Sequence, residues 1–265
     1  AARARLRAAV GQAGDAASAG IASPLILLDA GTWSRSQEPP PAGPCGLEDP
    51  LYMIFTSGST GVPKAVEVPW RALCNLVQGF HRTHALVPGE RVSQIASPSF
   101  DASLYEMWPS LLGGGTLVVV PEELKLEPRA LRDWILHERI GLHFSPTPLA
   151  QALMALDWPA DAPLRMLMAG GQTLRSRPRP ELPFRVWNDY GPTETGIVST
   201  WGFVRPGLDP ADLPDIGRPV DNTRIAILDE EGRRVPPGAD GELYIAGAGL
   251  ALGYFDDPET TAERF

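Results

Sequence analysis

The stretch from Thr56 to Lys64, TSGSTGVPK, is rich in residue types that bind phosphate. Gly58 and Gly61 allow backbone N–H groups to turn toward an anion, and Lys64 supplies a positive charge. Hydroxyl side chains add further hydrogen-bond donors, from Thr56, Ser57, Ser59 and Thr60. The spacing from glycine to lysine is not that of a Walker loop. The segment is therefore predicted to be a phosphate-binding loop of another kind, with a Gly/Ser-rich surface turn as the alternative.

A second candidate is Asp101, within the segment FDASLYEMW at 100 to 108. It is predicted to lie at the mouth of a helix, where the positive helix end favours an ionised carboxylate. Ser103 and Glu106 match a capping-box pattern, which leaves Asp101 free for a ligand. Tyr105 follows one helical turn later, and a carboxylate beside an aromatic ring suits an ammonium group. The alternative is that Asp101 only caps the helix.

The third candidate is the segment NDYGPTE at 188 to 194, which follows a predicted strand. Asn188 offers an amide for a heterocycle edge, and Tyr190 offers a ring that can stack on a base. Thr193 offers a hydroxyl that can reach a phosphate, and Glu194 a hard oxygen ligand for Mg2+. This combination favours a nucleotide site. The alternative is an ordinary helix start, with proline early and glutamate in the first turn.

Alternating hydrophobic patterns predict the elements that position these residues. Two short strands flank the glycine-rich loop, and from residue 69 onward helices alternate with strands. The predicted helices are 70–84, 103–112, 129–138 and 149–156, and the predicted strands are 51–55, 65–68, 91–96, 116–120, 141–145, 165–169 and 185–188. This order predicts an α/β fold with a mostly parallel sheet covered by helices and ligands at the carboxyl ends of its strands. Residues 1 to 20 could form a helix, and tight turns beyond about residue 201 predict an antiparallel unit.

Composition limits the classes of partner. The chain has 265 residues, 43% of them hydrophobic, so it can bury a substantial core. A net charge of -9 disfavours nucleic acid as a partner. Cys45 and Cys74 have neither metal-binding nor redox spacing, which favours free thiols and a cytoplasmic location. No apolar run is long enough to cross a bilayer, so no membrane partner is expected.

Taken together, the motifs resemble those of one enzyme superfamily. They are FTSGSTGVPK at 55–64, FDASLYEMW at 100–108, NDYGPTE at 188–194 and GELYIAGAGLALGY at 241–254. In this order and spacing they resemble the adenylate-forming superfamily, specifically the amino-acid-activating adenylation domains of nonribosomal peptide synthetases. Four motifs in order are far more specific than any one of them. The resemblance covers residues 24 to 265.

The resemblance implies a domain organisation. Residues 1–200 would form a flavodoxin-like α/β subdomain that carries the ATP and amino-acid site. Residues 201–265 would begin an antiparallel, β-barrel-like subdomain. The remaining parts of an adenylation domain are expected to be absent from this sequence, which would leave apolar surface exposed.

The resemblance also implies a reaction that uses ATP and Mg2+. An amino-acid carboxylate would attack the α-phosphate, release pyrophosphate and form aminoacyl-AMP, and the acyl group would then pass to the phosphopantetheine thiol of a carrier protein. Lys64, Thr193 and Glu194 would be catalytic, with Glu194 on the metal. Asp101 would hold the α-ammonium group of the substrate. The residues expected to bind ATP are Thr56, Ser57, Gly58, Ser59, Thr60, Gly61, Lys64, Gly170, Gly171, Asn188, Tyr190 and Thr193.

By the same resemblance, eight residues would form the amino-acid pocket. They are Asp101, Tyr105, His143, Leu167, Ala169, Asp189, Ile197 and Val198. Asp189 and His143 are polar in an otherwise apolar set, and a buried carboxylate needs a donor or a cation as partner. The expected substrate side chain therefore carries a hydrogen-bond donor or a positive charge. For His143, a sheet histidine with satisfied hydrogen bonds is an equally good interpretation.

Two other functions stay open on the sequence. One is an acyl-CoA ligase, whose substrates have no ammonium group for Asp101 to bind. The other is a truncated, non-catalytic binding module. A comparison of amino acids with their deaminated analogues separates the first of these from an adenylation domain.

Overall fold

A computed structural model describes residues 45–56, 63–207 and 212–265, together with the backbone of two short strands nearer the amino terminus. The strands are β1 (Ala9–Gly11), β2 (Leu25–Leu27), β3 (Pro50–Thr56), β4 (Lys64–Pro69), β5 (Arg91–Gln94), β6 (Thr116–Val119), β7 (Leu142–Pro146), β8 (Met166–Gly170), β9 (Arg185–Tyr190), β10 (Thr200–Phe203), β11 (Arg218–Pro219), β12 (Thr223–Leu228), β13 (Glu242–Gly247) and β14 (Gly253–Tyr254). The α-helices are α1 (Trp70–His84), α2 (Ala102–Leu112), α3 (Pro128–His137), α4 (Thr147–Met154) and α5 (Pro258–Arg264).

The largest sheet has seven strands in the order β11-β10-β9-β8-β7-β5-β6. Its strands from β9 to β6 are parallel to one another, and β10 and β11 add antiparallel pairings at one edge. The central strand β8, MLMAG, is buried along its whole length, as is typical of a parallel strand covered on both faces. The predicted α/β fold with a mostly parallel sheet is confirmed.

Helix α1 packs on this sheet through the stripe that its sequence predicts. Leu73, Leu76, Val77 and Phe80 lie at helical spacing and are all buried. The ring of Phe80 packs edge-to-face against Tyr105 of α2, with ring centroids 5.4 Å apart. Helix α1 therefore supports α2, the helix that carries Asp101 at its start.

The strands on either side of the glycine-rich loop form a separate small sheet. Strands β3 and β4 pair antiparallel, and β14 pairs with β4 on its other side. The tip of this hairpin, residues 57–62, lies outside the described residues. Arg71 of α1 donates hydrogen bonds to the carbonyl oxygens of Ala248 and Leu250, at 2.7 and 3.1 Å. This contact fixes the segment that leads into β14 against the α/β unit.

The antiparallel unit predicted beyond residue 201 is present. Strands β12 and β13 pair antiparallel over six residue pairs. The seven-stranded sheet nevertheless extends past residue 200, because β10 and β11 belong to it.

Two local predictions are wrong. Residues 1 to 20 were predicted to form a helix, but residues 9–11 form strand β1 instead, which pairs in parallel with β2. The capping box predicted for Ser103 and Glu106 does not form either. The Glu106 carboxylate instead accepts hydrogen bonds from the backbone N–H groups of Ile95 and Ala96, at 2.9 and 3.0 Å. Helix α2 packs over the end of β5, where these buried N–H groups need an acceptor more than the helix start does.

In the part of the chain that the structure describes, no helix has the length and apolar character needed to cross a membrane. Cys45 and Cys74 are free thiols, as predicted.

Glu106 is expected to be important for stability, because it joins α2 to the end of β5. Glu106→Gln keeps the shape of the side chain but replaces one acceptor oxygen with a donor, which leaves a backbone N–H unpaired. We expect the free energy of unfolding to fall by about 1–3 kcal/mol. The measurement is chemical denaturation with the exposed Glu123→Gln as the matched control, for which the change should stay within about 0.5 kcal/mol. Equal losses for the two variants would contradict this role.

Candidate functional site

The candidate residues meet at the carboxyl edge of the parallel sheet. Asp101 follows β5, Gly170 ends β8, and the segment from Asp189 to Glu194 begins at the end of β9. Thr193 and Glu194 lie close enough to Asp101 to affect the pKa of its carboxyl group. Loops at this edge are where ligands of parallel sheets usually bind, and the sequence predicted that these segments would meet here.

The first cavity at this edge has a volume of about 510 Å3. Its wall is largely apolar, with two carboxyl groups. Among the lining residues are Asp101, Tyr105, Phe144, Gly170, Asp189, Ile197 and Val198. The size and the few convergent polar groups are typical of a small-molecule site.

Asp189 is the most buried acid of this cavity. It is 4% exposed, and its Oδ2 accepts a hydrogen bond from the Tyr105 hydroxyl at 3.0 Å. Its Oδ1 is buried and has no partner among the described residues. Burial raises the pKa of Asp189 to about 7, although the Tyr105 hydrogen bond opposes this shift. The free oxygen can therefore accept a hydrogen bond from a ligand in the cavity.

Asp101 is half-buried at the start of α2 and does not cap the helix with its side chain. Burial raises the pKa of this carboxyl group, while the Thr193 hydroxyl and the Ala102 N–H lower it. The sequence predicted that the helix end would keep Asp101 ionised, but the loss of hydration is the larger effect. An ammonium group in the cavity would supply the opposite charge that the carboxylate lacks.

A second cavity, of about 570 Å3, lies on the other side of the segment that follows β9. Its lining includes Thr56, Lys64, Tyr190, Glu194 and Tyr254. The Tyr254 hydroxyl donates a hydrogen bond to Glu194 Oε1 at 2.7 Å. Lys64 Nζ lies 5.3 Å from the centroid of the Tyr254 ring. The cavity therefore presents a cation and a carboxylate side by side, the groups that a magnesium-bound polyphosphate requires.

The segment from Tyr190 to Val198 forms the wall between the two cavities. Gly196 has a φ of 80°, and a Cβ on it would lie 2.4 Å from the carbonyl oxygen of Gly249, so a glycine is needed there. Ile197 follows with a φ of 74°, an unfavourable conformation for a β-branched residue. Backbone strain of this kind is concentrated at functional sites, where the surrounding structure maintains it.

His143 does not line either cavity. It is fully buried, and its ring nitrogens Nδ1 and Nε2 form hydrogen bonds with Ser93 Oγ at 2.6 Å and Ser145 Oγ at 2.7 Å. Burial lowers the pKa of His143 to about 3, so the ring is neutral. The interpretation as a satisfied sheet histidine is therefore the one that agrees with the structure.

Leu167 and Ala169 lie on the same side of the sheet as His143, away from the first cavity. The register pairs Phe144 with Met168 and Gly170 with Asp189, which places these four residues on the cavity side. The Tyr105 hydroxyl also lies 3.5 Å from Met168 Sδ. The sequence-based set was displaced by one residue on β7 and β8, and a shift of one residue moves a side chain to the other face. Phe144 lines the cavity and was not revealed by the sequence pattern, whereas Met168 is buried and reaches the site only through the Tyr105 hydroxyl.

The residues predicted to bind ATP do not all line the same cavity. Thr56, Lys64 and Tyr190 line the second cavity, whereas Gly170 and Gly171 line the first. The residues of the loop tip, Ser57, Gly58, Ser59, Thr60 and Gly61, lie outside the described residues. Asn188 is 4% exposed and lines neither cavity, because its Nδ2 donates to the Asp215 carbonyl oxygen at 2.8 Å.

Comparison with known proteins agrees with this geometry. Residues 7–255 match the family of AMP-binding enzymes. The chain belongs to this family. The resemblance to adenylation domains that the four motifs indicated is thereby confirmed.

This AMP-binding chain is 47% identical, over 214 residues, to one of the linear gramicidin synthase proteins of Brevibacillus parabrevis. It is similar to the nonribosomal peptide synthetase FmoA3 in its AMPPNP-bound form, with a TM-score of 0.85 and 31% identity. It is also similar to the adenylation domain AlmE of Vibrio cholerae in complex with glycyl-adenosine-5'-phosphate, with a TM-score of 0.72 and 29% identity.

These matches cover most of this chain and a minor part of each relative. They include 81% of this chain and 3% of the gramicidin synthase protein. For FmoA3 the shares are 97% and 29%, and for AlmE they are 82% and 43%. The chain thus spans less than half the length of each of these proteins.

The buried acid of the first cavity predicts a pH dependence of stability. Since the pKa of Asp189 rises from 3.8 to about 7 on folding, the folded state binds this proton more tightly than the unfolded state. The contribution of Asp189 to stability is therefore complete below pH 3.8 and is lost as the pH rises to about 7. Asp189→Asn removes this contribution, so the wild type should lose up to about 1.4 kcal/mol relative to the variant for each pH unit in this window.

The measurement is denaturant unfolding of both proteins across this pH window. Burial also raises the pKa of Glu106 to about 7, but this contribution is common to both proteins and cancels in the difference. The exposed Asp161→Asn is the control and should unfold in parallel with the wild type at every pH. A constant difference between wild type and Asp189→Asn would contradict the prediction.

Proposed function

We propose that this chain activates an amino acid with ATP, forming aminoacyl-AMP and pyrophosphate. The observation that carries the proposal is the shared wall between the cavities. It places Asp101, which suits a substrate ammonium, beside Thr193 and Glu194, which suit phosphate and metal. AMPPNP in FmoA3 and glycyl-adenosine-5'-phosphate in AlmE are ligands of the kind that this reaction uses and produces.

In this reaction an oxygen of the amino-acid carboxylate attacks the α-phosphorus of ATP. A new P–O bond forms to the acyl oxygen, and the bond to the pyrophosphate oxygen breaks. Both reactants are anions, so the chain must position them and reduce their repulsion. Asp101 would bind the ammonium group and thereby aim the carboxylate across the wall. Lys64 would contact the phosphates from the second cavity, with the glycine-rich loop, and Thr193 would contact them from the wall between the cavities.

The second cavity also suits Mg2+. This ion prefers one or two carboxylate ligands and takes its remaining ligands from phosphate and water. Glu194 Oε1 accepts the Tyr254 hydrogen bond, and Oε2 is left to serve as the metal ligand. When bound, the ion would neutralise charge that develops on the phosphates.

The first cavity favours one class of amino-acid side chain. Asp189 Oδ1 is buried without a partner among the described residues, and leaving it so costs free energy that a ligand donor would recover. Phe144, Ile197 and Val198 supply the apolar part of the wall. We infer a substrate side chain with a hydrocarbon stem and a hydrogen-bond donor or positive charge that reaches Asp189.

The relatives also suggest the next step. Linear gramicidin synthase and FmoA3 are peptide synthetases, which supports transfer of the acyl group from AMP to the phosphopantetheine thiol of a carrier protein. The carrier protein is thus the proposed macromolecular partner.

The activity is tested by pyrophosphate exchange with ATP, Mg2+ and each of the proteinogenic amino acids. The rate of exchange should depend on the amino acid. With the deaminated analogue of the best substrate, the rate should be at least about 100-fold lower, because a charge-assisted contact with Asp101 is lost. Asp101→Asn should lower exchange by a similar factor, while Asp161→Asn should leave it unchanged. Equal exchange with the deaminated analogue would favour an acyl-CoA ligase. Nucleotide binding with no exchange at all would favour a binding module.

A separate prediction concerns selectivity. Exchange should be faster with amino acids that carry a side-chain donor or cation than with leucine or phenylalanine. Asp189→Leu should reverse this order, because it replaces the buried acceptor with an apolar surface. The measurement is kcat/KM for the two substrate classes in both proteins. A wild type that prefers leucine or phenylalanine would contradict the assigned role of Asp189.

A further inference from the structure

Tyr254 lies between the two charged residues of the second cavity. Its hydroxyl donates to Glu194 Oε1 at 2.7 Å, and its ring lies under Lys64 Nζ, 5.3 Å from the centroid. The ring and the hydroxyl thus contact groups of opposite charge. Phe265 packs edge-on against the same ring, with centroids 5.8 Å apart, which limits its movement.

The backbone around Tyr254 is fixed from both sides. Strand β14 pairs antiparallel with β4, so that Tyr254 is opposite Val66, two residues after Lys64. The Tyr254 N–H donates to Thr261 Oγ1 of α5 at 2.9 Å. Gly253 has a φ of 140°, and a Cβ there would lie 2.5 Å from Thr261 Cγ2, so α5 can approach only because this residue is glycine. The position of the Tyr254 ring is therefore determined by strand β4 and helix α5.

Helix α5 also holds Lys64. Lys64 Nζ lies 3.4 Å from Thr260 Oγ1, in the helix turn next to Thr261. Asp257 begins this helix, and its Oδ1 accepts a hydrogen bond from the Thr260 N–H at 3.1 Å. The direct contacts of the lysine ammonium are thus with neutral groups, Tyr254 and Thr260, while the Asp257 carboxylate attracts it from a greater distance.

Lys64 and Glu194 line the same cavity without forming an ion pair with each other. A direct pair would satisfy both charges internally and weaken the interaction of each with a ligand. An aromatic face attracts the ammonium without neutralising it, and a hydroxyl occupies one carboxylate oxygen and leaves the other available. The contacts of Tyr254 match these two requirements.

We infer that Tyr254 is a positioning residue that keeps Lys64 and Glu194 apart, so that Lys64 can bind phosphate and Glu194 Oε2 can bind the metal. The inference rests on the proposed function for the identity of the ligands. It assigns a role to the tyrosine that ends the motif GELYIAGAGLALGY, a residue to which the motif pattern alone gives none.

The test uses two variants that separate the hydroxyl from the ring. Tyr254→Phe removes only the contact with Glu194, whereas Tyr254→Leu also removes the ring under Lys64. The probes are Mn2+, followed by electron paramagnetic resonance, and the ATP analogue AMPPNP, followed by calorimetry with and without metal. Asp161→Asn is the control, because Asp161 is exposed and lines neither cavity.

We expect Tyr254→Phe to weaken Mn2+ binding in the presence of AMPPNP by about 10-fold, as is usual when the partner of a metal ligand is removed. Metal-free AMPPNP binding should stay within about twofold of the wild type, because Lys64 keeps its aromatic neighbour. Tyr254→Leu should weaken both. Asp161→Asn should change neither.

Making the same change in a protein that already carries Glu194→Gln shows whether Tyr254 acts through Glu194. In Glu194→Gln, the further change Tyr254→Phe should have no effect on Mn2+ binding, since the ligand that it positions is already lost. Wild-type Mn2+ affinity in Tyr254→Phe, or an equal loss in both backgrounds, would overturn the inference.

The result is separable from that of the proposed reaction. If the wild type binds Mn2+ and AMPPNP and responds to Tyr254→Phe as expected but exchanges pyrophosphate with no amino acid, the proposed reaction is wrong and the role of Tyr254 holds. If exchange occurs and Tyr254→Phe leaves metal binding unchanged, only the role of Tyr254 is wrong. A wild type that binds no Mn2+ with AMPPNP would overturn both.

Discussion

Burial of carboxyl groups without a cation is the physical constraint on which this site depends. A carboxylate that loses its hydration needs hydrogen bonds or an opposite charge, or its pKa rises. Glu106 obtains two backbone N–H donors and serves the fold. Asp189 obtains only the Tyr105 hydroxyl, and Asp101 lies in the same cavity, where the Lys125 ammonium is already paired with Glu122 at 2.6 Å. The acids that the fold leaves unsatisfied are therefore those that a ligand can satisfy.

The proposed reaction also requires that two anionic groups meet. The segment that follows β9 accomplishes this by forming a wall with one cavity on each side. Its Gly196 and Ile197 both adopt positive φ angles, which turn the chain sharply enough for Glu194 and Val198 to face different cavities. The strain at Ile197 is thus part of the arrangement that separates the cavity lined by Asp101 from the cavity lined by Lys64.

In the second cavity, neutral groups make the direct contacts with the charged side chains. Tyr254 and Thr260 contact Lys64 without neutralising it, and Tyr254 takes one oxygen of Glu194. The first cavity differs, since under the proposed function the charge of Asp101 is neutralised by the substrate. Both solutions depend on strands and helices that are fixed by the core, because a side chain that could move would form the nearest ion pair instead.

The sequence by itself determined the type and order of the elements, because local hydrophobic periodicity reports which face of each helix is buried. It also indicated three candidate ligand-binding segments, since glycine, hydroxyl and carboxyl groups at these spacings have few structural uses. It could not determine which side of a strand faces the cavity. His143 and Phe144 are adjacent in a strand buried on both faces, and only the pairing of β7 with β8, and of β8 with β9, places Phe144 toward Asp189. The contact between Tyr254 and Glu194 likewise joins residues 60 positions apart, and it arises because β14 pairs with β4, which no local pattern specifies.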